Sequence, residues 1–450
     1  MTSGALASAV DRLMPRARVD LERLVAIPSV ASEDRVPVPA CREAAEVAAD
    51  LYRELGVDDL ELLDADDGSV VVVGHTQGPA GGPRVLLYAH YDVQPAGESA
   101  AWSSDPWTLT EREGRWYARG AADCKGNLVM HLTALRALLE VDGGWPVSLT
   151  VVCEGSEEMS TGGLERLVAS EPDRFAADVI IVADTGNVEA GVPTVTTSLR
   201  GTGSVLVTVR TLAGPVHSGA FGGAAPDAMA ALIRVLDTLR DGAGATTVAG
   251  VPSDGTWTGA AYPQQRFRSD AGVLDGVDVI GGGAVADALW ARPVATVLAI
   301  EGPAVKDVTA SVQSEARAVV NLRVPPGIDA ADAQRRLVEQ LTAAVPWNAR
   351  ISVEPKTLGR PFAARTDGPA YAALAEAMEE AFGRPMVQQG QGGAIPLCVA
   401  LAEAQPAAEI LLIGVEEPAC RIHAPNESVS PQELRRTAVA EALLLRGLGG

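Results

Sequence analysis

Lysine is almost missing from this chain, with only Lys125, Lys306 and Lys356 among 450 residues, while 58 acidic side chains bring the net charge to −22. A surface this acidic is repelled by phosphate backbones and anionic headgroups, so neither nucleic acid nor membrane is an expected partner. Paired cysteines are missing too. Cys41, Cys124, Cys153, Cys398 and Cys420 are odd in number, scattered and without a C-x-x-C pair. A disulfide framework and a zinc knuckle are therefore not expected, and a reducing cytoplasm is. No apolar run approaches the ~18 residues of a membrane-spanning helix. The first thirty residues set Asp11, Arg12, Arg16, Arg18, Asp20, Glu22 and Arg23 into an apolar periodicity. That pattern reads as a first helix, not a secretory signal. Repeats and low-complexity tracts are absent, and the glycine-rich pieces at 201–203 and 281–283 match neither a phosphate loop nor a dinucleotide fingerprint.

What is present is an ordinary globular composition, 47% hydrophobic and 21% charged, at a length that suggests two or three domains. Short β-branched runs at 69–74, 84–88, 148–153, 179–183 and 409–414 alternate with amphipathic stretches at 41–55, 126–140, 163–170 and 368–382. This is the pattern of an α/β domain, a mostly parallel sheet flanked by helices. Gly383 is placed to end one helix in a left-handed cap, and Ser430-Pro431 to start the last. The middle reads differently. Alternating segments 204–209, 317–323 and 350–353, with helices near 226–239 and 329–345, predict a smaller α+β layer inserted into the first domain. Within it, 241–283 has weak periodicity and reads as long loops, which at that length are commonly functional.

Four predicted strands run into groups suited to bind metal: 85–88 into His90 and Asp92, 149–153 into Glu157 and Glu158, 179–183 into Asp184, and 410–414 towards His423. Asp123 lies just before the helix that opens near Asn127. In open α/β sheets the ligand crevice lies beyond the carboxyl ends of the strands, so these groups converge there despite their separation in sequence. Buried carboxylates are costly unless paired or metal-bound, and a cluster this acidic calls for two divalent cations. Imidazole and carboxylate without thiolate suit zinc first and manganese second. A two-metal site also needs a base to move the proton of its water, and Glu157 and Glu158 can divide the base and ligand roles. Taken singly, each residue has a plainer reading: a satisfied histidine, an acid at a helix start, a turn former. His75 and His131 carry no motif and read as ordinary, and Lys125 reads as a local salt link or helix-start contact.

Together, His90-Tyr91-Asp92, Asp123 in its Gly/Lys frame, Glu157-Glu158, Asp184 and His423-Ala424-Pro425-Asn426-Glu427 resemble the di-zinc metallopeptidase family of carnosinase, Cys-Gly dipeptidase, glutamate carboxypeptidase, aminoacylase and succinyl-diaminopimelate desuccinylase. The resemblance covers almost the whole chain and lies nearest the dipeptidase branch. It implies a catalytic domain at 1–200 and 356–450 and an inserted lid at 201–355 that makes a homodimer. His90 and Asp184 are then ligands of one zinc, Glu158 and His423 of the other, and Asp123 of both. Glu157 is the general base, and Asp92 orients His90. His217 of Pro215-Val216-His217-Ser218-Gly219 stabilises the oxyanion across the dimer, and Arg323 of Asn321-Leu322-Arg323-Val324-Pro325 grips the substrate carboxylate. Gly392, Gly393 and Ala394 border the substrate. Two departures touch these contacts: Ala394 stands where the family often has a hydroxyl residue, and segment 310–313 lacks the family's Ile-Pro. Cys124 is variable in the family and is not read as a ligand. The expected reaction is hydrolysis of a dipeptide with a free carboxylate. The alternatives are an N-acyl or N-carbamoyl amino acid amidohydrolase using the same site, and a non-catalytic ligand-binding homologue.

Overall fold

A computed structural model describes residues 3–31, 38–57, 59–393 and 395–450. The chain divides into two compact units: 1–197 with 364–389 and 396–450, and 198–363 with 390–395. The first boundary falls close to the expected residue 200. The second falls after residue 363, beyond the expected 356, because strand Arg350–Gly359 continues its pairing with Gly201–Arg210 as far as Gly359. Segment 390–395 also belongs to the inserted unit.

In the first unit the sheet runs, in spatial order, Asp59–Asp64, Val70–Thr76, Ser148–Glu154, Arg84–His90, Val179–Ala183, Glu409–Ile413 and Thr194–Leu199. The four central strands, 148–154 through 409–413, are mutually parallel, and the flanking ones are antiparallel. Their burial is nearly continuous, as a strand covered on both faces requires. Helix Lys125–Asp142 is buried around most of its circumference. It packs on Arg84–His90 and is itself covered by helices Ser3–Val25 and Pro431–Leu448. The local signals hold at several ends. Ser430 accepts the Glu433 N–H, Pro431 opens its helix, and Gly143 and Gly383 close theirs with positive φ. Among the described residues no helix is long and apolar enough to cross a membrane.

One ion pair in this core is fully buried: His131 Nδ1 lies 2.7 Å from Glu441 Oε2, while its Nε2 lies 3.1 Å from the Tyr88 carbonyl. Burial pulls the imidazole pKa down, but the charge and hydrogen bond of Glu441 outweigh it, and the net shift is upward from 6.5. A raised folded pKa means a stabilising contribution that is complete below about pH 6.5 and is lost as pH rises through the folded value. Glu441→Gln is expected to cost ~2 kcal/mol at pH 6 and less at pH 9. Urea denaturation at the two pH values checks this, and an equal loss at both would remove the titrating pair as the cause.

The second unit is a four-stranded antiparallel sheet in the order Val294–Glu301, Glu315–Val324, Gly201–Arg210, Arg350–Gly359. Helices Ala228–Asp237 and Ala330–Ala343, capped by Asp227 and Asp329, share its apolar core. Strand Val294–Glu301 was not among the expected strands. It lies at the sheet edge with Val297, Leu298 and Ile300 at 39%, 62% and 52% exposure. Between residues 241 and 283 the only helix among the described residues is the short Gln264–Asp270, in keeping with the expectation of loops.

Candidate metal centre and active site

The parallel strands deliver their C-terminal residues to one place. His90 is the last residue of its strand, and Asp184 directly follows Val179–Ala183. Glu157 and Glu158 come three and four residues after Ser148–Glu154. His423 lies on the loop beyond Glu409–Ile413. His90 Nε2 stands 3.1 Å from Asp123 Oδ1 and 3.2 Å from Asp184 Oδ1. His423 Nε2 stands 2.9 Å from Asp123 Oδ2 and 3.2 Å from Glu158 Oε2. The two oxygens of Asp123 are thus divided between the two imidazoles. Glu157 Oε2 lies 4.0 Å from His90 Nε2, at the edge of the cluster.

Asp92 holds two parts of the site at once. Its Oδ1 lies 3.2 Å from His90 Nδ1, which is also 3.0 Å from the Asp92 carbonyl, and its carboxylate accepts the backbone N–H groups of Glu157 and Glu158. The far nitrogen of His90 is engaged by this residue.

Three supporting residues carried no role in the sequence reading. Gln94 donates its backbone and side-chain N–H groups to the Glu158 carboxylate at 3.1 and 2.8 Å. Glu427, fully buried, accepts the N–H groups of Gly120, Ala122 and Asp123 and pairs with Arg119 at 2.6 Å, clamping the loop that carries Asp123. Glu416, also buried, takes a hydrogen bond from Asn127 and reaches Asp123 and Asp184. Glu427 closes the His423–Glu427 motif in sequence, and that spacing was its only signal. The side chains of Gln94 and Glu416 had none. Among the described residues Lys125 makes no salt link. Its buried ammonium donates to the carbonyls of Leu24 and Ile27, tying down the end of the first helix, and burial lowers its pKa to about 7.

The segment bearing His423 is strained. Arg421, His423 and Asn426 all have positive φ, at 54°, 62° and 63°. Non-glycine residues adopt this region only when their surroundings impose it. Here Asn426 bridges to Ala101 and Ser103, and Glu427 is locked in the Asp123 loop.

The donors fit divalent cations. Burial pushes Glu157 and Glu416 well up and Asp184 up to about 6. Burial opposes the charge of Asp123, yet hydrogen bonds from His423 and His90 hold it below the ordinary carboxylate range. Hydrogen bonds to Asp123 and Glu158 raise His423 to about 10. His90 is also raised, its burial outweighed by the acids around it. Metal binding by groups such as these requires their deprotonated forms and therefore releases protons. His90, Cys124 and Asp184 are also near enough to share an ion, but the Cys124 thiol donates to the Ala183 carbonyl at 2.9 Å and burial raises its pKa to about 12. A neutral thiol is a poor ligand, and the imidazole–carboxylate set is the better one.

The other expected site residues lie in the inserted unit. His217 is exposed, pairs with Ser311 across a short two-stranded ladder, and caps helix Ser218–Phe221 by accepting the Ala220 N–H. Segment 310–313, where the sequence departs from the family, is therefore the strand beside it. Arg323 is half-buried, with its Nε donating to Asn321. Gly392 packs against Arg200, and Gly393 has nothing close to where a side chain would be. Ala394 lies outside the described residues.

Residues 86–446 match peptidase family M20/M25/M40. The cysteinylglycine-S-conjugate dipeptidase of Corynebacterium striatum is 44% identical over 411 residues, 90% of each chain. The human Beta-Ala-His dipeptidase is 28% identical over 407 residues, 82% of this chain and 78% of that one. The crystal structure of human carnosine dipeptidase 1 superposes with a TM-score of 0.83 over 100% of this chain and 99% of that one. At 23% identity, that likeness concerns the fold.

Proposed function

Because this chain belongs to peptidase family M20/M25/M40, we propose that it is a metal-dependent dipeptidase, hydrolysing the peptide bond of small substrates with a free C-terminal carboxylate. The observation that carries the reading is the division of the two Asp123 oxygens between His90 and His423, with a half-buried Glu157 4.0 Å from His90 alongside. His90, Asp123 and Asp184 would hold one divalent ion and Asp123, Glu158 and His423 the other, zinc being preferred by this donor set and manganese second. Such ions supply Lewis acidity, polarising the scissile carbonyl and making water acidic enough to be deprotonated near neutral pH.

The chain's own groups do the rest. Glu157 takes the proton of the attacking water and returns it to the leaving amine. A carboxylate at this position can serve as base in the first step and as acid in the second. Asp92 fixes the tautomer of His90 and presents the Glu157–Glu158 turn, and Gln94 orients Glu158. His217 would stabilise the oxyanion and Arg323 would bind the carboxylate, with Gly392, Gly393 and Ala394 bordering the substrate. We further propose a cytoplasmic homodimer formed through the inserted unit. All five cysteines are unpaired and buried, and the apolar edge strand Val294–Glu301 offers a surface for a second copy. Light scattering is expected to give about twice the 46.5 kDa chain mass, and a monomer at micromolar concentration would remove the dimer.

The test is to strip the protein with chelator, reload it with zinc or manganese, and follow free-amine release from a dipeptide panel beside N-acyl and N-carbamoyl amino acids. Activity is expected to vanish on chelation and to return on dipeptides. Faster turnover of an acyl or carbamoyl amino acid would move the assignment to an amidohydrolase.

A further inference from the structure

We propose that Arg200 is a second carboxylate-binding residue of the inserted unit, sharing the C-terminal carboxylate of the substrate with Arg323; the proposal rests on the dipeptidase reading above. Arg200 directly precedes strand Gly201–Arg210, and its backbone N–H donates to the Gln391 carbonyl at 3.2 Å, joining the strand to the glycine-rich turn. Its guanidinium packs against that turn. A Cβ on Gly392 would come within 2.9 Å of Nη2, which is a local reason for glycine there.

Arg200 is only 8% exposed, yet its Nε and Nη1 are buried with no hydrogen-bond partner, and among the described residues no carboxylate pairs with it. The neighbouring strand adds a second cation. Antiparallel pairing sets Val324 opposite Gly201 and Arg323 opposite Thr202, and among the described residues Arg323 has no acid partner either. Burial lowers the pKa of both, and the charge of Arg323 presses Arg200 further, to about 10.

A buried, unpaired charge is costly, and a second one of the same sign beside it adds repulsion. Proteins depart from full pairing in this way mainly where a ligand completes the set. The missing partner is an anion. A carboxylate suits two guanidiniums because its two oxygens offer about four acceptor positions to planar donors. A substrate with a free C-terminus supplies one carboxylate, enough to neutralise much of this repulsion.

The experiment compares wild type, Arg200→Met and Arg200→Lys in the metal-loaded full-length protein, on a dipeptide that wild type cleaves and on its C-terminal amide. Arg200→Met is expected to raise KM for the free acid by about 10-fold or more, to change kcat by less than about 3-fold, and to leave the amide unaffected. Inhibition by acetate should weaken in parallel, and Arg200→Lys should recover part of the KM. Without ligand, the Tm of Arg200→Met should equal or exceed that of wild type, because an unpaired buried charge has been removed. Parallel losses on acid and amide, or a lowered Tm, would make Arg200 a structural residue and overturn the proposal. If wild type cleaves no dipeptide, the dipeptidase reading fails. The anion site then stands if acetate raises the Tm of wild type but not of Arg200→Met, and falls if acetate raises neither.

Discussion

Glu157→Gln is expected to lower kcat by about 10³-fold on any dipeptide the protein cleaves, with the metal content per chain unchanged. Glutamine keeps the volume and one hydrogen-bonding oxygen but can neither accept the proton of water nor deliver one to an amine. The metals should stay, because Glu157 comes no nearer than 4.0 Å to His90, while Asp123 and Asp184 contact His90 directly and Asp123 and Glu158 contact His423 directly. Burial and the neighbouring Asp184 raise its pKa above the ordinary carboxylate value. Elemental analysis beside initial rates checks both halves of the expectation. A variant that keeps its metals and full activity would end the general-base assignment. Loss of metal along with activity would place Glu157 among the ligands.

Glu427→Ala should act through the loop rather than through the chemistry. The carboxylate satisfies three backbone donors, at Gly120, Ala122 and Asp123, and neutralises Arg119, which is 2% exposed. Removing it strands those donors and leaves a buried cation unpaired, a loss of ~3–5 kcal/mol. Because Asp123 is the residue shared by both imidazoles, loosening its loop should also weaken metal binding by about 10–100-fold, the range for lost outer-layer partners. Denaturant melts of the metal-free protein and competitive metal titration separate the two effects. Unchanged metal affinity in a destabilised variant would make Glu427 a stability residue only. Arg119→Met in the Glu427→Ala background removes the stranded cation and should recover part of the stability without restoring the metal affinity.

The α/β class, the central parallel strands and most helix ends were legible in the sequence, because β-branched runs, Ser430-Pro431 and the left-handed glycine at 383 act over a few residues. Strand Val294–Glu301 was missed. An edge strand with one mostly exposed side gives a run of Val, Leu and Ile no clean two-residue alternation. The candidate metal cluster was legible for another reason. Its members follow predicted strands, and parallel strands in one sheet bring their C-terminal ends together wherever they lie in the sequence.

Sequence by itself therefore determined the acidic, lysine-poor surface, the class of fold and the donor set that calls for divalent cations, since each of these depends on residue type and local spacing. Tertiary structure alone decided which oxygen of Asp123 faces which histidine, that Glu427 clamps the Asp123 loop from some 300 residues away, that Lys125 caps the first helix, and that Arg200 keeps its Nε and Nη1 buried without a partner among the described residues. These are matters of burial and of pairing between distant segments, and a side chain acquires a desolvation cost or a partner only when the folded chain surrounds it.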